Sequence, residues 1–205
     1  MRSCAEERTA VQLQLDPMGS VFVVFRQASQ AKSRTFPKST VTTLSTISEP
    51  WTIGFPSSGE SVETTFEQLV SWTTSSKDAV KYFSGTATYS KDINVPNDWF
   101  RSDRKLVLDL GTVKEIAELS INGKSAGAVL WKPPFQTDVT ALLRPGLNKI
   151  EVRVTNLWPN RIIGDQQPTV TRKHPFTDIQ PYKQDSPLME SGLLGPVRVM
   201  AVSTK

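Results

Sequence analysis

From Trp51 onward, apolar and polar residues alternate with a period of two, the spacing of half-buried strands. Trp51, Ile53 and Phe55 fall on one face of a first strand that Pro56 ends. Ala87, Tyr89, Ile93 and Val95 share a face further on, and Gly85 ahead of them marks a bulge or a close backbone approach. In the run KLVLDLG, Leu106, Leu108 and Leu110 are predicted inward, with Val107 and Asp109 outward. Ala117, Leu119 and Ile121 repeat the pattern and lead into Asn122-Gly123, a strong hairpin signal because both residues tolerate positive φ. A return strand runs over 127–131, and Pro133-Pro134 breaks it. Ile150, Val152 and Val154 line one face of the strand that begins after Pro145-Gly146. Val197, Val199 and Ala201 line one face of the last strand.

Elsewhere the period weakens. Residues 64–72 suit a short helix or an irregular segment, and 75–80 one helical turn. Residues 135–146 predict another helical turn, with Asp138 as its cap and Leu142 and Leu143 turned to the core. Residues 11–26 read as two short strands around a turn at Asp16-Pro17 and Gly19. The second, 21–25, is continuously apolar, like a strand covered on both faces. It is either the end of an upstream domain or a strand joining the downstream sheet. Residues 28–48 are rich in Ser and Thr and read as a linker holding a short strand at 41–44. Residues 168–190 are proline-rich and aperiodic. Short strands with frequent turns and almost no helix predict an all-β antiparallel β-sandwich or jelly roll. Its expected extent is 49–205, after terminal strands at 1–27 and the linker at 28–48.

Composition narrows the reading. In 205 residues the apolar share is 38%, enough for a core, and fourteen prolines disfavour a helical fold. The net charge is +4, with both signs interspersed, so no basic stripe suggests nucleic acid. Cys4 is the single cysteine, so no internal disulfide forms. The polar start MRSCAEERTA has no apolar signal region, and 21–25 is too short to span a bilayer. The chain reads as soluble and not membrane-bound.

The strand ending at Thr155 delivers a dense polar loop: Asn156, Trp158, Asn160, Arg161, Asp165, Gln166 and Gln167. Trp131 closes a second such loop. An indole face stacks on the C–H face of a sugar while its N–H donates to a hydroxyl. The alternative is packing beneath the loops, the expected role of Trp51 and Trp72. Arg161 and Asp165 suit either an ion pair that shapes the loop or partners for sugar hydroxyls. Asn156 suits a cap equally well. Glycoside hydrolysis needs two carboxyl groups about 5–5.5 Å or about 6.5–9.5 Å apart. The candidates are Asp109, Asp138, Asp165, Asp178 and Glu190, with Asp138 better explained as a cap and Asp109 as a solvent-facing strand residue. His174, the only histidine, reads as a loop residue. No zinc motif or nucleophile elbow occurs, Ser191 lying in ESGLLG. No cofactor is expected. Scattered loop aspartates permit a structural calcium without arguing for one.

Several runs resemble the sugar-binding jelly-roll domain of family 2 glycoside hydrolases: Tyr82 to Tyr89, Leu108-Asp109-Leu110-Gly111, Ile121-Asn122-Gly123-Lys124, Asp138-Val139-Thr140 and the terminal ESGLLGPV. The wording LWKPPF and NLWPNRIIGD is similar to the C-terminal part of α-L-rhamnosidase-like enzymes of family 106. The resemblance covers roughly Trp51 to Val202, and Ser20 to Phe25 looks like the last strand of the preceding domain. It implies a galactose-binding-like sandwich whose catalytic carboxylates lie on a (β/α)8 barrel that this chain does not hold. It implies a non-catalytic accessory domain that contacts a plant-type glycan containing rhamnose or galactose, or docks on the barrel. The parent enzyme would be secreted or periplasmic. The candidate contacts are Trp131, Asn156, Trp158, Asn160, Arg161, Asp165 and Gln166. The alternatives are a small stand-alone hydrolase using Asp165 with a second carboxylate, and a purely bracing domain.

Overall fold

The structure, a computed structural model, describes residues 10–27, 30–31, 33, 38–47, 50–56, 61–171, 173 and 178–204. It is a β-sandwich of antiparallel sheets. Among the described residues twelve strands follow in chain order: β1 (Ser39–Thr46), β2 (Trp51–Phe55), β3 (Val62–Phe66), β4 (Thr86–Val95), β5 (Arg104–Asp109), β6 (Thr112–Lys114), β7 (Ile116–Ile121), β8 (Lys124–Leu130), β9 (Gln136–Asp138), β10 (Gly146–Thr155), β11 (Gly192–Gly195) and β12 (Arg198–Thr204). Among the described residues two short α-helices interrupt them, α1 (Asp78–Lys81) and α2 (Pro159–Gly164). A six-stranded sheet has the order β3-β2-β4-β10-β7-β8. It faces a four-stranded sheet of order β1-β12-β5-β9, and β11 pairs with β6 at one end.

Inward positions of both sheets form one core. Ile53, Tyr89, Ile150, Val152 and Ile121 meet Leu106, Leu108, Val197 and Val199 there. Burying each such side chain contributes about 1.5–3 kcal/mol. The aromatic members interlock edge to face, with Phe55 ring centroids 5.2 Å from Trp72 and 5.0 Å from Phe83. The expected inward sets on β2, β4, β5, β7, β10 and β12 all lie on core faces. The hairpin turn between β7 and β8 takes φ values of 53° at Asn122 and 77° at Gly123, as the Asn-Gly pair predicts.

Several elements differ from expectation. Residues 62–66 form β3, an edge strand, where a helix or irregular segment was expected nearby. Register pairing with β2, from Trp51 opposite Phe66 to Phe55 opposite Val62, overrides the ambiguous local pattern. The segment at 135–146 begins as β9. Beyond it Leu143 donates to the Val139 carbonyl, so one turn remains, with Asp138 accepting from the Thr140 amide at its start. Asp109 keeps the outward phase, opposite Arg198 of β12, but is buried instead of solvent-facing, and its Oδ1 accepts the Gly111 amide at 3.0 Å. The strand expected at 41–44 within the linker is the longer β1, paired with β12 from Ser39 opposite Thr204 to Thr46 opposite Arg198.

The turn at Asp16–Gly19 forms, closed by the Gly19 amide on the Asp16 carbonyl at 2.8 Å. Its flanks are not strands: 21–25 pairs with no strand among the described residues, and Phe22 is 93% exposed. A strand exists only through its ladder partners, and the apolar pattern alone supplies none. Cys4 and His174 lie outside the described residues. Among the described residues no helix is long and apolar enough to cross a membrane.

Candidate functional site

Sheet register gathers the candidate aromatics at one end of the six-stranded sheet. Thr155 of β10 lies opposite Ile116 of β7, and Ala117 of β7 opposite Leu130 of β8. Trp131 therefore follows at the level of Ile116, and the β10 exit loop leaves from the same end. Neighbouring strands lie about 4.8 Å apart, so the β8 and β10 exits are separated by roughly 10 Å. Ile116, Leu157 and Val129 are exposed beside Trp131, 63% exposed, and Trp158, 57% exposed. The ion pair from Arg153 Nη1 to Glu118 Oε2, 2.7 Å, borders this apolar group on the same sheet face.

The loop 156–167 is not an open polar surface. Pro159 starts α2, consistent with its preference for the first helical position. The helix turns its polar side chains into the protein. Asn160, 1% exposed, donates to the Met189 carbonyl at 2.7 Å and to Ser191 Oγ at 3.0 Å, and accepts the Met189 amide at 2.8 Å. Asn156 accepts the Gly85 amide at 3.0 Å and donates to the Phe83 carbonyl at 2.9 Å and to Ser191 Oγ. Asp165, with its side chain 2% exposed, is held by Arg161, whose Nε donates to Oδ1 at 2.9 Å and whose Nη2 reaches the same oxygen. Gln166 is half-buried, and its Oε1 accepts from Lys173 Nζ at 3.3 Å. Gly164 packs so closely that an added Cβ would sit 2.6 Å from Tyr82 Cβ.

Of the seven expected contact residues, then, Trp131 and Trp158 present broad surface to solvent. Asn156, Asn160 and Asp165 are buried in internal bonds, and Arg161 and Gln166 lie between. The main chain on both sides of the Trp158 side chain is hydrogen-bonded. Ser84 Oγ donates to the Leu157 carbonyl at 2.6 Å, and the Trp158 carbonyl accepts the amides of Arg161 and Ile162. The indole is thus carried on a fixed main chain.

Beside Trp131 a groove of about 400 Å³ runs between Val129, Lys132, Pro134 and Gln136, with Asp16 at its edge. Lys132 is legible in sequence only as part of the LWKPPF wording, and Gln136, just after it, carries no distinctive spacing. Ser191 fits no nucleophile motif and stands within the ESGLLGPV run. It is the hub joining Asn156, Asn160 and the Ser71 hydroxyl, which accepts the Ser191 amide at 3.0 Å. The nearest signal was Gly192, which holds φ 104° and sits where an added Cβ would lie 2.4 Å from Trp72 Nε1.

Titration is shifted away from this end as well. Burial pushes the Tyr89 hydroxyl well above its ordinary range, partly offset by the Leu193 amide and the Trp72 indole that bond it. At Asp138 burial is outweighed by the Thr140 hydroxyl and amide and by Lys105, which hold the carboxyl below its ordinary value. Among the described residues no three His, Cys, Asp or Glu side chains cluster to hold a metal.

The antiparallel sheets and single core place the chain in the all-β sandwich class of folds. Comparison with known proteins supplies the family. The chain belongs to the family of the glycosyl hydrolases family 2 sugar binding domain, whose model matches residues 21–184. It is similar to a protein of Formosa agariphila named "Putative beta-glucuronidase", at 38% identity over 194 residues, covering 80% of this chain and 17% of that protein. It is also similar in structure to a rhamnosidase from a Novosphingobium species, with a TM-score of 0.77 and 35% identity, covering 86% of this chain and 17% of that one. A β-D-glucuronidase of Dictyoglomus thermophilum shares the fold at TM-score 0.54 and 17% identity, covering 85% of this chain and 30% of that one. The chain thus spans about a sixth of the first two proteins, 17% of each.

Proposed function

We propose that the chain is a non-catalytic accessory domain of a larger glycoside hydrolase, and that it contacts carbohydrate at the sheet end carrying Trp131 and Trp158. The observation that carries this reading is the contrast between the two tryptophans and Asp165. The indoles are held outward on a fixed main chain, while the one carboxylate in the loop is buried and paired with Arg161. A general acid or nucleophile must reach its substrate. A buried carboxylate bonded to a guanidinium serves shape instead. The sugar would stack on the indoles, with Lys132 and Gln136 of the adjoining groove within reach of hydroxyls.

The exposed Ile116, Val129 and Leu157 around the tryptophans favour one addition to this reading. The same end would dock on the catalytic domain, so that the tryptophans form one wall of a site completed by that domain. A glycan array combined with a screen of chromogenic glycosides tests both claims. The expected result is retention of rhamnose- or galactose-containing glycans with no product release. Turnover by the chain that is abolished in Asp165→Asn would contradict the accessory reading.

A further inference from the structure

A second cleft lies away from the tryptophan end. The Thr86 end of β4 meets Thr155, and the Val95 end meets Gly146. The cleft opens beside residues 91–94, roughly 20 Å along the strand from the Trp158 loop at about 3.3 Å per residue. Its volume is about 290 Å³, close to the lower limit for a small-ligand site. Ile47, Ile93 and Val199 supply apolar lining, Trp99 an aromatic wall, and Ser45 and Lys91 polar groups.

Two features make this more than a gap between sheets. First, β2 pairs with β4 only at 88–90, so the same edge of β4 over 91–95 has no strand partner among the described residues. Lys91, Asp92, Ile93 and Asn94 of this stretch all line the cleft. Second, Lys91 shares the inward-facing phase of Tyr89 and Ile93, where an apolar residue would be expected. Its ammonium donates to the Pro50 carbonyl at 3.0 Å, and no acidic side chain pairs with it among the described residues. An ammonium has three donors, so two remain for a ligand. Asp92, the nearest carboxylate in sequence, also lines the cleft, but its place in the alternation is opposite to that of Lys91, and its charge acts on Lys149 across the β4–β10 pair.

We infer that this cleft is a second carbohydrate site, selective for a sugar that carries a carboxylate. The indole of Trp99 offers a face for the ring, Lys91 a counter-charge for the carboxylate, and Ser45 with the open β4 edge partners for hydroxyls. A neutral sugar would offer the Lys91 ammonium no charge-assisted partner beyond the Pro50 carbonyl it already holds. The inference does not depend on the tryptophan-end reading, because no residue is shared between the two.

Amide and indole NMR spectra of the 205-residue chain, titrated with sodium galacturonate and with galactose, test it. Saturable shifts are expected at Ser45, Lys91, Ile93 and the Trp99 indole with galacturonate, about tenfold weaker with galactose. Lys91→Met should weaken galacturonate about tenfold and Lys91→Arg should retain it, with the remaining amide shifts showing each variant folded. Trp131→Ala and Trp158→Ala should leave this binding unchanged. Equal affinity for the two sugars, shifts confined to 131 and 156–158, or no saturable shift would overturn the proposal.

Discussion

At the scale of single residues, a small set of polar atoms ties the sandwich to its last segment. The Tyr89 hydroxyl receives the Trp72 indole N–H at 2.5 Å and the Leu193 amide at 3.0 Å, all within the core. Replacing Tyr89 by Phe leaves two buried donors without a partner. Each orphaned group costs about 1–3 kcal/mol, so Tyr89→Phe should lower unfolding free energy by about that amount or more in urea titration. Asp138 gives a pH-dependent case. Its folded-state pKa is depressed, so its contribution is complete above the unfolded value of about 3.9 and is lost as pH falls through the folded value. Thermal midpoints followed from pH 6 to pH 2 (roughly the span of carboxylate titration) should fall less steeply in Asp138→Asn than in the parent. Neither residue's role was legible beforehand in full. Asp138 was readable as a cap because its spacing to Thr140 is local. Tyr89 was readable only as inward, since its partners lie 17 and 104 positions away in sequence.

At the scale of elements, the strands were legible and the loop was not. Alternation set the inward faces of β4, β5, β7 and β10 because one-residue slips would expose whole core sets. The same principle could not see β3, whose place depends on its neighbour, or the unpaired state of 21–25. It also could not see α2. A sequence dense in Asn, Arg, Asp and Gln looks like a ligand surface when drawn as a loop. Folded as a helix under 189–191, it becomes an anchor. Asn160 is the test of that anchor. Asn160→Ala removes the bonds to Met189 and Ser191, and should cost about 1–3 kcal/mol. Amide hydrogen exchange should quicken over 159–167 and 189–193 together, while β5 keeps its protection. If exchange there matches the parent, α2 is held by something other than Asn160.

At the scale of the whole molecule, the sandwich has two separate regions of interest. Register brings Ile116, the Trp131 exit of β8 and the β10 exit that leads to Leu157 and Trp158 to one end of the six-stranded sheet. The aperiodic 168–190 stretch contains no helix or strand among its described residues, yet Gln167 Nε2 fastens to the Gln184 carbonyl at 3.0 Å and Met189 to Asn160. It is tied back beside α2, not left trailing. The family and the fold were legible from motif wording. The division between exposed indoles and buried polar residues was not, because burial is a property of the folded whole.

Calorimetric titration of a rhamnose- or galactose-containing oligosaccharide retained on the array, into the parent chain and into Trp158→Ala, Trp131→Ala and Asp165→Asn, tests the central claim most directly. Each tryptophan variant should bind about tenfold more weakly, as loss of one aromatic stack implies. Asp165→Asn should melt at lower temperature while keeping affinity for the sugar wherever it remains folded. Parent-like affinity in both tryptophan variants would contradict the account.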